Sequence, residues 1–492
     1  MITVQTPNFL LDGRKQHYIN GRWQAPIKNE YITTYNPANG EALTQLARGS
    51  DADIDIAVQA ARKAFEGDWR KYSPADRHAL LMSVRQVIEQ NLDELRLLET
   101  LDMGAPFART ERMRDHLLRM ISFFATQTAN CRGETIPNSL PGNFSTMTIR
   151  APIGVVGGII PWNAPIAGQW WVIGVVLATG CTAVLKPAED ASLSVLRTVE
   201  LLTSAGVPDG VINAVTGLGN EAGAALAKHP HVNKIAFTGS PATGREIIRA
   251  SAGSIKPVTL ELGGKSPDIV FADADLDRAV PGVSMGVFNN SGQVCYAGTR
   301  VFVQSAIQKE FVARISEFCK TLKVGDPLDR SVQLGPLTSK RQLDRVLEYI
   351  EIGKSEGATL SAGGKRLGGD YSNGFYIEPT VFSDVNNNMR IAREEIFGPV
   401  MSIIPFDTAE EVVGLANDTN FGLGGAVWTR DVRTAMKLVH EIRAGQVWVN
   451  CYGMVDPSVG FGGYKESGFG WKGGTQHVDS FLYQKAVTIN HD

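Results

Sequence analysis

The stretch Ala151-Pro152-Ile153-Gly154-Val155-Val156-Gly157-Gly158-Ile159-Ile160-Pro161-Trp162-Asn163 opens a run that reaches Leu185 without a charged residue. Such a run exceeds the ~20 residues a membrane span needs. Pro161, Asn163, Pro165 and Gln169 interrupt it, however, and the pair Gly157-Gly158 lies within its first apolar segment. These interruptions favour a buried strand, a loop and a buried helix, because a parallel strand covered on both faces reads as continuous apolar sequence. No membrane association is expected.

Downstream, strand-like and helix-like segments alternate. A helix around Trp170 to Ala178 leads to the strand Thr182 to Leu185, a helix near Leu193 to Ala205, the strand Val211 to Val215, a helix near Glu221 to Lys228, and the strand Lys234 to Phe237. This β-α-β order predicts an α/β fold with a parallel sheet wrapped by helices, a natural nucleotide-binding domain. A second α/β set begins at Pro267 to Phe271, continues with Arg300 to Val303, and includes helices over Ile307 to Leu322 and Ser339 to Glu356. The two units meet near Gly263-Gly264, and a cleft between them lets a cofactor and a substrate approach from opposite sides. Two further strand-like pieces, Asn143 to Arg150 and Phe481 to Asn490, belong to neither unit and need partners for their edges.

At 492 residues the chain is large enough for two or three domains. A net charge of -3 and 20% charged residues provide no general basic field for nucleic acid. The five cysteines, Cys131, Cys181, Cys295, Cys319 and Cys451, are odd in number and scattered without zinc-like spacing. That pattern fits free thiols in a reducing, cytoplasmic setting, and no metal site is expected. The first seven residues lack a basic region followed by an apolar one, so no secretory signal is expected.

Glu261, in Thr259-Leu260-Glu261-Leu262-Gly263-Gly264-Lys265, and Cys295, in Asn290-Ser291-Gly292-Gln293-Val294-Cys295-Tyr296-Ala297-Gly298, form the chemically suggestive pair. A thiol attacks carbonyls only as thiolate, and with an ordinary pKa of about 8.5 it needs a base or a positive environment. A carboxyl between Leu260 and Leu262 gains basicity on burial. Both stretches resemble the signature segments of the aldehyde dehydrogenase superfamily, and the resemblance extends over nearly the whole chain. It implies Cys295 as nucleophile, Glu261 as deacylation base, and Asn163 of Pro161-Trp162-Asn163 as oxyanion donor together with the Cys295 N–H. From its residue type alone Asn163 also suits a helix cap.

The same resemblance implies a dinucleotide site. Lys186 and Glu189 of Lys186-Pro187-Ala188-Glu189 would hold the adenosine ribose, and a carboxylate there favours NAD over NADP by repelling a 2'-phosphate. Thr238-Gly239-Ser240 opens a helix suited to a pyrophosphate, and Gly219 lies in a second glycine-containing turn. Glu395 and Phe397, in Glu394-Glu395-Ile396-Phe397-Gly398-Pro399, would meet the nicotinamide ribose and pack on the cofactor. Ile160, Trp162, Phe237 and Leu262 complete this expected cofactor set.

For the substrate pocket the candidates are Ala164, Gly168, Trp171, Val294, Tyr296, Val455 and Phe461. Ala164 stands where many family members carry a bulky aromatic, which implies room for a bulky apolar or aromatic aldehyde. Val172 stands where many carry a lysine, and Lys472 where many carry a glutamate. Lys472 is therefore a candidate positive charge near Glu261. The expected domains are 1-128 with 150-263 for the cofactor, 264-463 for catalysis, and 129-149 with 464-492 as an oligomerisation element pairing between subunits of a dimer or tetramer. A CoA-acylating dehydrogenase and a non-catalytic scaffold protein of the same fold remain alternatives.

Overall fold

The computed structural model describes residues 7–11 and 13–492. Residues 1–6, which the expectation about a secretory signal concerns, lie outside the described residues. The uncharged run resolves into the strand Val155–Ile160, the helix Pro165–Thr179 and the strand Thr182–Pro187. A Cβ on Gly157 would lie 2.6 Å from Ile235 Cδ1, and one on Gly158 2.8 Å from Leu185 Cδ2 and 2.9 Å from Val172 Cγ1. Successive residues of a strand face opposite sides, so the two glycines let side chains close on both faces. The helix starts at Pro165, whose missing N–H costs nothing in a first turn, and stops at Gly180 in the left-handed region. No helix among the described residues is long and apolar enough to cross a membrane.

In the first sheet the parallel strands run in the order Val258–Glu261, Lys234–Thr238, Val155–Ile160, Thr182–Pro187 and Ile212–Ala214. The hairpin His17–Ile19 with Arg22–Gln24 covers one edge, and Gly468–Phe469 pairs antiparallel with Leu260 and Glu261 at the other. Chain order reverses between Val155–Ile160 and Lys234–Thr238. The carboxyl ends of these two strands therefore frame the crevice where open α/β sheets bind ligands.

The second sheet places Thr380–Ser383, Val400–Phe406, Arg300–Gln304, Pro267–Val270, Gly424–Trp428 and Gln446–Val449 in parallel, with Thr359–Ala362 antiparallel at one edge. Its long helix is Lys340–Ser355, capped by Ser339, whose Oγ accepts from the Gln342 N–H. Apolar clusters such as Val155, Val184, Ile235 and Leu260 in the first unit, and Ile269, Phe302, Ile404 and Val427 in the second, form separate cores. Each fully buried Val, Leu or Ile contributes roughly 1.5–3 kcal/mol.

Gly263 and Gly264 join the units for a steric reason. A Cβ on Gly263 would fall 2.2 Å from Glu395 Oε2, and one on Gly264 2.5 Å from the Cys295 carbonyl oxygen. Ser467 pins the same elbow, its Oγ donating to Gly263 O at 2.7 Å.

Two features bear on the expected oligomerisation element. The outlying strands, Phe144–Pro152 and Leu482–Asn490, pair with each other inside one chain, from Leu482 opposite Pro152 to Asn490 opposite Phe144, with Thr135–Ile136 as a third strand. Each thus covers one edge of the other within the chain, while the outer edge of Leu482–Asn490 has no strand partner among the described residues. The segment after Gly463 also does more than the oligomerisation role expected of it, since Gly468–Phe469 first edges the cofactor-side sheet.

Candidate active site

A cleft of about 2160 Å³ runs between the units, and its wall contains Ile160, Trp162 and Asn163, then Lys186 and Glu189, Gly219, Phe237, Gly239 and Ser240, Leu262, Cys295, Glu395 and Phe397. Residues drawn from seven separate sequence segments thus share one surface. Glu189 marks one part of it, where Lys186 Nζ donates to Glu189 Oε2 at 2.8 Å. Burial pushes that carboxyl up, but Lys186 together with the main-chain N–H groups of Glu189 and Gly219 more than offsets it and leaves it below the ordinary value. Ser240 caps the helix Pro241–Ala252, its Oγ accepting from the Thr243 N–H, so the positive end of a helix dipole faces the cleft. Around Gly219 a Cβ would meet nothing within 4 Å, which leaves the main chain open to a ligand. Glu395 accepts from the Gly264 N–H at 2.9 Å, and burial raises its carboxyl to about 7. Phe397 meets Trp162 edge to face at 5.2 Å. Two carboxylates, a helix start and aromatic rings fit a dinucleotide with two ribose diols.

Cys295 follows a strained turn. Asn290, Ser291 and Gly292 all have positive φ, of 55°, 54° and 73°. For the two non-glycine residues this costs of order 1–3 kcal/mol each and survives only where the surroundings fix it. Here Ser291 Oγ donates to Gly335 O at 2.7 Å, Asn290 Nδ2 to Asn163 O at 2.9 Å, and the Thr338 N–H to Gln293 Oε1 at 2.9 Å. A Cβ on Gly292 would sit 2.1 Å from the Gly398 carbonyl, so only glycine fits. Below the thiol, Tyr452 donates its hydroxyl to Tyr296 O at 2.5 Å. The half-buried Cys295 thiol is pushed up to about 12, by burial first and by Glu261 second, with Lys472 opposing.

Asn163 does not cap the helix that follows. Ala164 occupies that position, and the Asn163 amide turns to the cysteine loop, donating to Gln293 O at 2.9 Å. An amide nitrogen carries two N–H bonds, so one donor remains. The Glu261 carboxyl does not line the cleft. It is 2% exposed, lies outside the cleft wall, and neither carboxyl oxygen has a hydrogen-bond partner. Burial raises it to about 8, with Lys472 pulling the other way.

The candidate pocket residues are less concentrated. Tyr296 meets Phe461 edge to face and Trp448 at a tilt, each at 5.7 Å, which makes one aromatic wall next to Cys295. Ala164, Trp171, Val294 and Val455 are all half-buried. A Cβ on Gly168 would point at Pro161 Cδ, 3.4 Å away, which assigns this glycine to packing of the helix on the strand end. Val172 is buried against Gly158 within the core. Sequence reasoning missed Lys340, Arg341 and Arg345, which line the cleft from the helix Lys340–Ser355. Their only signal was a cluster of basic residues at its start. It also missed Thr238 as the acceptor of the Lys472 ammonium.

With this geometry in hand, comparison with known proteins is direct. The family model described as "Aldehyde dehydrogenase family" matches residues 23–487. An aldehyde dehydrogenase of Enchytraeus buchholzi is 46% identical over 96% of this chain and 95% of its own, and aldehyde dehydrogenase 1 of Tanacetum cinerariifolium 44% over 96% and 94%. The structure of the NAD+ complex of an aldehyde dehydrogenase from Bacillus cereus is similar with a TM-score of 0.97 at 42% identity, covering 100% of both chains. The chain belongs to the aldehyde dehydrogenase family.

Proposed function

We propose that this protein oxidises an aldehyde to a carboxylic acid with NAD, through a thiohemiacetal and then a thioester on Cys295. The observation that carries the reading is that Cys295 and Asn163 share a cleft wall with Glu189 and Glu395. Lys186 and Glu189 would hold the adenosine ribose, Glu395 the nicotinamide ribose, and Gly239 and Ser240 the pyrophosphate. When bound, NAD supplies the acceptor for the hydride.

The chain's own groups do the rest. Cys295 Sγ bonds to the aldehyde carbon, and its proton passes to Glu261 once that side chain turns toward the cleft. The free N–H of Asn163 Nδ2 and the Cys295 main-chain N–H face the oxygen that gains charge. Loss of hydride from the same carbon leaves the thioester. Glu261 gives up the thiol's proton to solvent, then takes a proton from water as the hydroxyl adds to the acyl carbon; the C–S bond breaks, freeing the acid, and Glu261 returns that proton to the departing thiolate. A carboxyl raised to about 8 is a competent base near neutral pH.

The aromatic wall of Tyr296, Phe461 and Trp448, with Ala164 beside Asn163, supports a bulky apolar or aromatic aldehyde. Residues 1-128 with 150-263 would form the cofactor domain and 264-463 the catalytic domain, in a cytoplasmic homo-oligomer joined through 129-149 and 464-492. Cys295→Ala tests the core of the reading: NADH formation should vanish while NAD still binds, and retained turnover would overturn it. Turnover without CoA, and a preference for benzaldehyde over acetaldehyde, test the acyl acceptor and the substrate class.

A further inference from the structure

Glu261 has an unusual setting for a base. Its carboxyl is buried, both oxygens lack a hydrogen bond, and the one charged group acting on it is Lys472. Lys472 reaches it by a fixed route. Its main chain is locked to Phe461 in both directions, Phe461 N–H to Lys472 O at 2.6 Å and Lys472 N–H to Phe461 O at 2.7 Å. Just before it, Gly468 lies opposite Glu261 in the sheet, and a Cβ there would fall 1.9 Å from Leu260 O. Gly470 is as tightly held, 2.8 Å from Thr259 Cγ2 by the same construction. The ammonium then donates to Thr238 Oγ1, and Thr238 is the register partner of Glu261 on the adjacent strand.

We propose that Lys472, anchored on Thr238, is the positioning counter-charge that keeps the buried Glu261 ionisable and so sets the pH range in which it serves as base. This rests on the reading of Glu261 as the base for Cys295 and for water. The other candidate cations are poorly placed. Val172 offers no charge, and Lys234 lies over the Phe481 ring. His477, enclosed beside Phe124 and Phe481, is held neutral by burial and by Lys234 and Lys472. Cys295 is the remaining titratable group in reach of the pair, and Glu261 and Glu395 both make its thiolate harder to form. An attraction across low-dielectric protein, without a direct hydrogen bond, leaves the carboxylate free to turn toward the thiol.

The test is the pH dependence of kcat in Lys472→Met, Lys472→Gln, Lys472→Arg and Glu261→Gln, each checked for native melting and for NAD affinity. In Met and Gln the rising limb should move up by about one unit or more, roughly tenfold in rate at a fixed pH below it, with Arg restoring most of the wild-type position. A limb unmoved in both Met and Gln, or moved equally in Arg, overturns the proposal about Lys472. Should either neutral variant fail to melt natively, the folded one decides; if both fail, the same limb is read in wild-type enzyme against Lys472→Arg, whose bulkier delocalised charge must move it less than 0.5 unit. Wild-type acyl release by Glu261→Gln would instead overturn the reading of the base itself, whatever the lysine variants do.

Discussion

Glu261 holds a carboxyl that burial raises to about 8, from an ordinary value of 4.5, and two consequences follow from the sign of that shift. As a base it must be deprotonated, so turnover should climb with pH through about 8. As a buried acid it folds most easily when protonated. Its contribution to stability is therefore favourable at low pH and is lost as pH rises from 4.5 through 8. Glu261→Gln removes the ionisation but keeps the shape. Its unfolding free energy relative to wild type should improve from pH 5 to about pH 8, by an amount on the order of a few kcal/mol, and then level off, while acyl release falls by about 10²–10⁴. A constant melting difference across that range would contradict the buried, pH-dependent carboxyl. Cys295, Asn163 and Glu261 stood out in the sequence as candidates because a few residue types carry the proposed chemistry. That Glu261 lies behind the cleft was not, since local sequence does not say which rotamer is buried.

At the scale of the element, the cysteine loop and the helix Pro165–Thr179 are each held by side chains far away in sequence. Gly292→Ala would push a methyl into the Gly398 carbonyl. Displacing Cys295 by as little as an ångström should lower turnover by about 10², with a loss of about 1–3 kcal/mol in stability, checked by steady-state rates and urea unfolding. The helix is tied at its start by Glu99, which accepts from the Ile166 N–H at 2.8 Å and pairs with Arg109 at 3.5 Å, both side chains buried. Glu99→Ala leaves a buried guanidinium without its counter-charge, and a loss of about 3–5 kcal/mol is expected in urea unfolding. The helix itself was visible as an apolar run. Its anchor was not, because Glu99 reads as one more polar residue of an amphipathic helix until the packing is known.

Across the whole molecule, the small sheet is the least self-contained part. Leu482–Asn490 covers one edge of Phe144–Pro152, and most of its own residues are exposed. Removing 482–492 would leave nine residues of strand edge unpaired. Light scattering should then show a lower oligomeric mass or aggregation, while the melting of the two large sheets changes little. An unchanged mass would place subunit contacts elsewhere.

The sequence by itself determined the two α/β units, the family, and the residues proposed as nucleophile, base and oxyanion donor, because strand and helix periodicity and short motifs are local properties. Motif order also singled out the residues proposed to hold the cofactor, from Lys186 to Phe397, and the fold brings them to one cleft wall. Only the tertiary structure decided that the two outlying strands pair with each other, that Asn163 turns to Gln293 and not to its own helix, and that Lys472 comes to rest on Thr238 near Glu261. Those outcomes depend on contacts between segments tens to hundreds of residues apart, and such contacts are set by how the sheets and their connecting loops pack together.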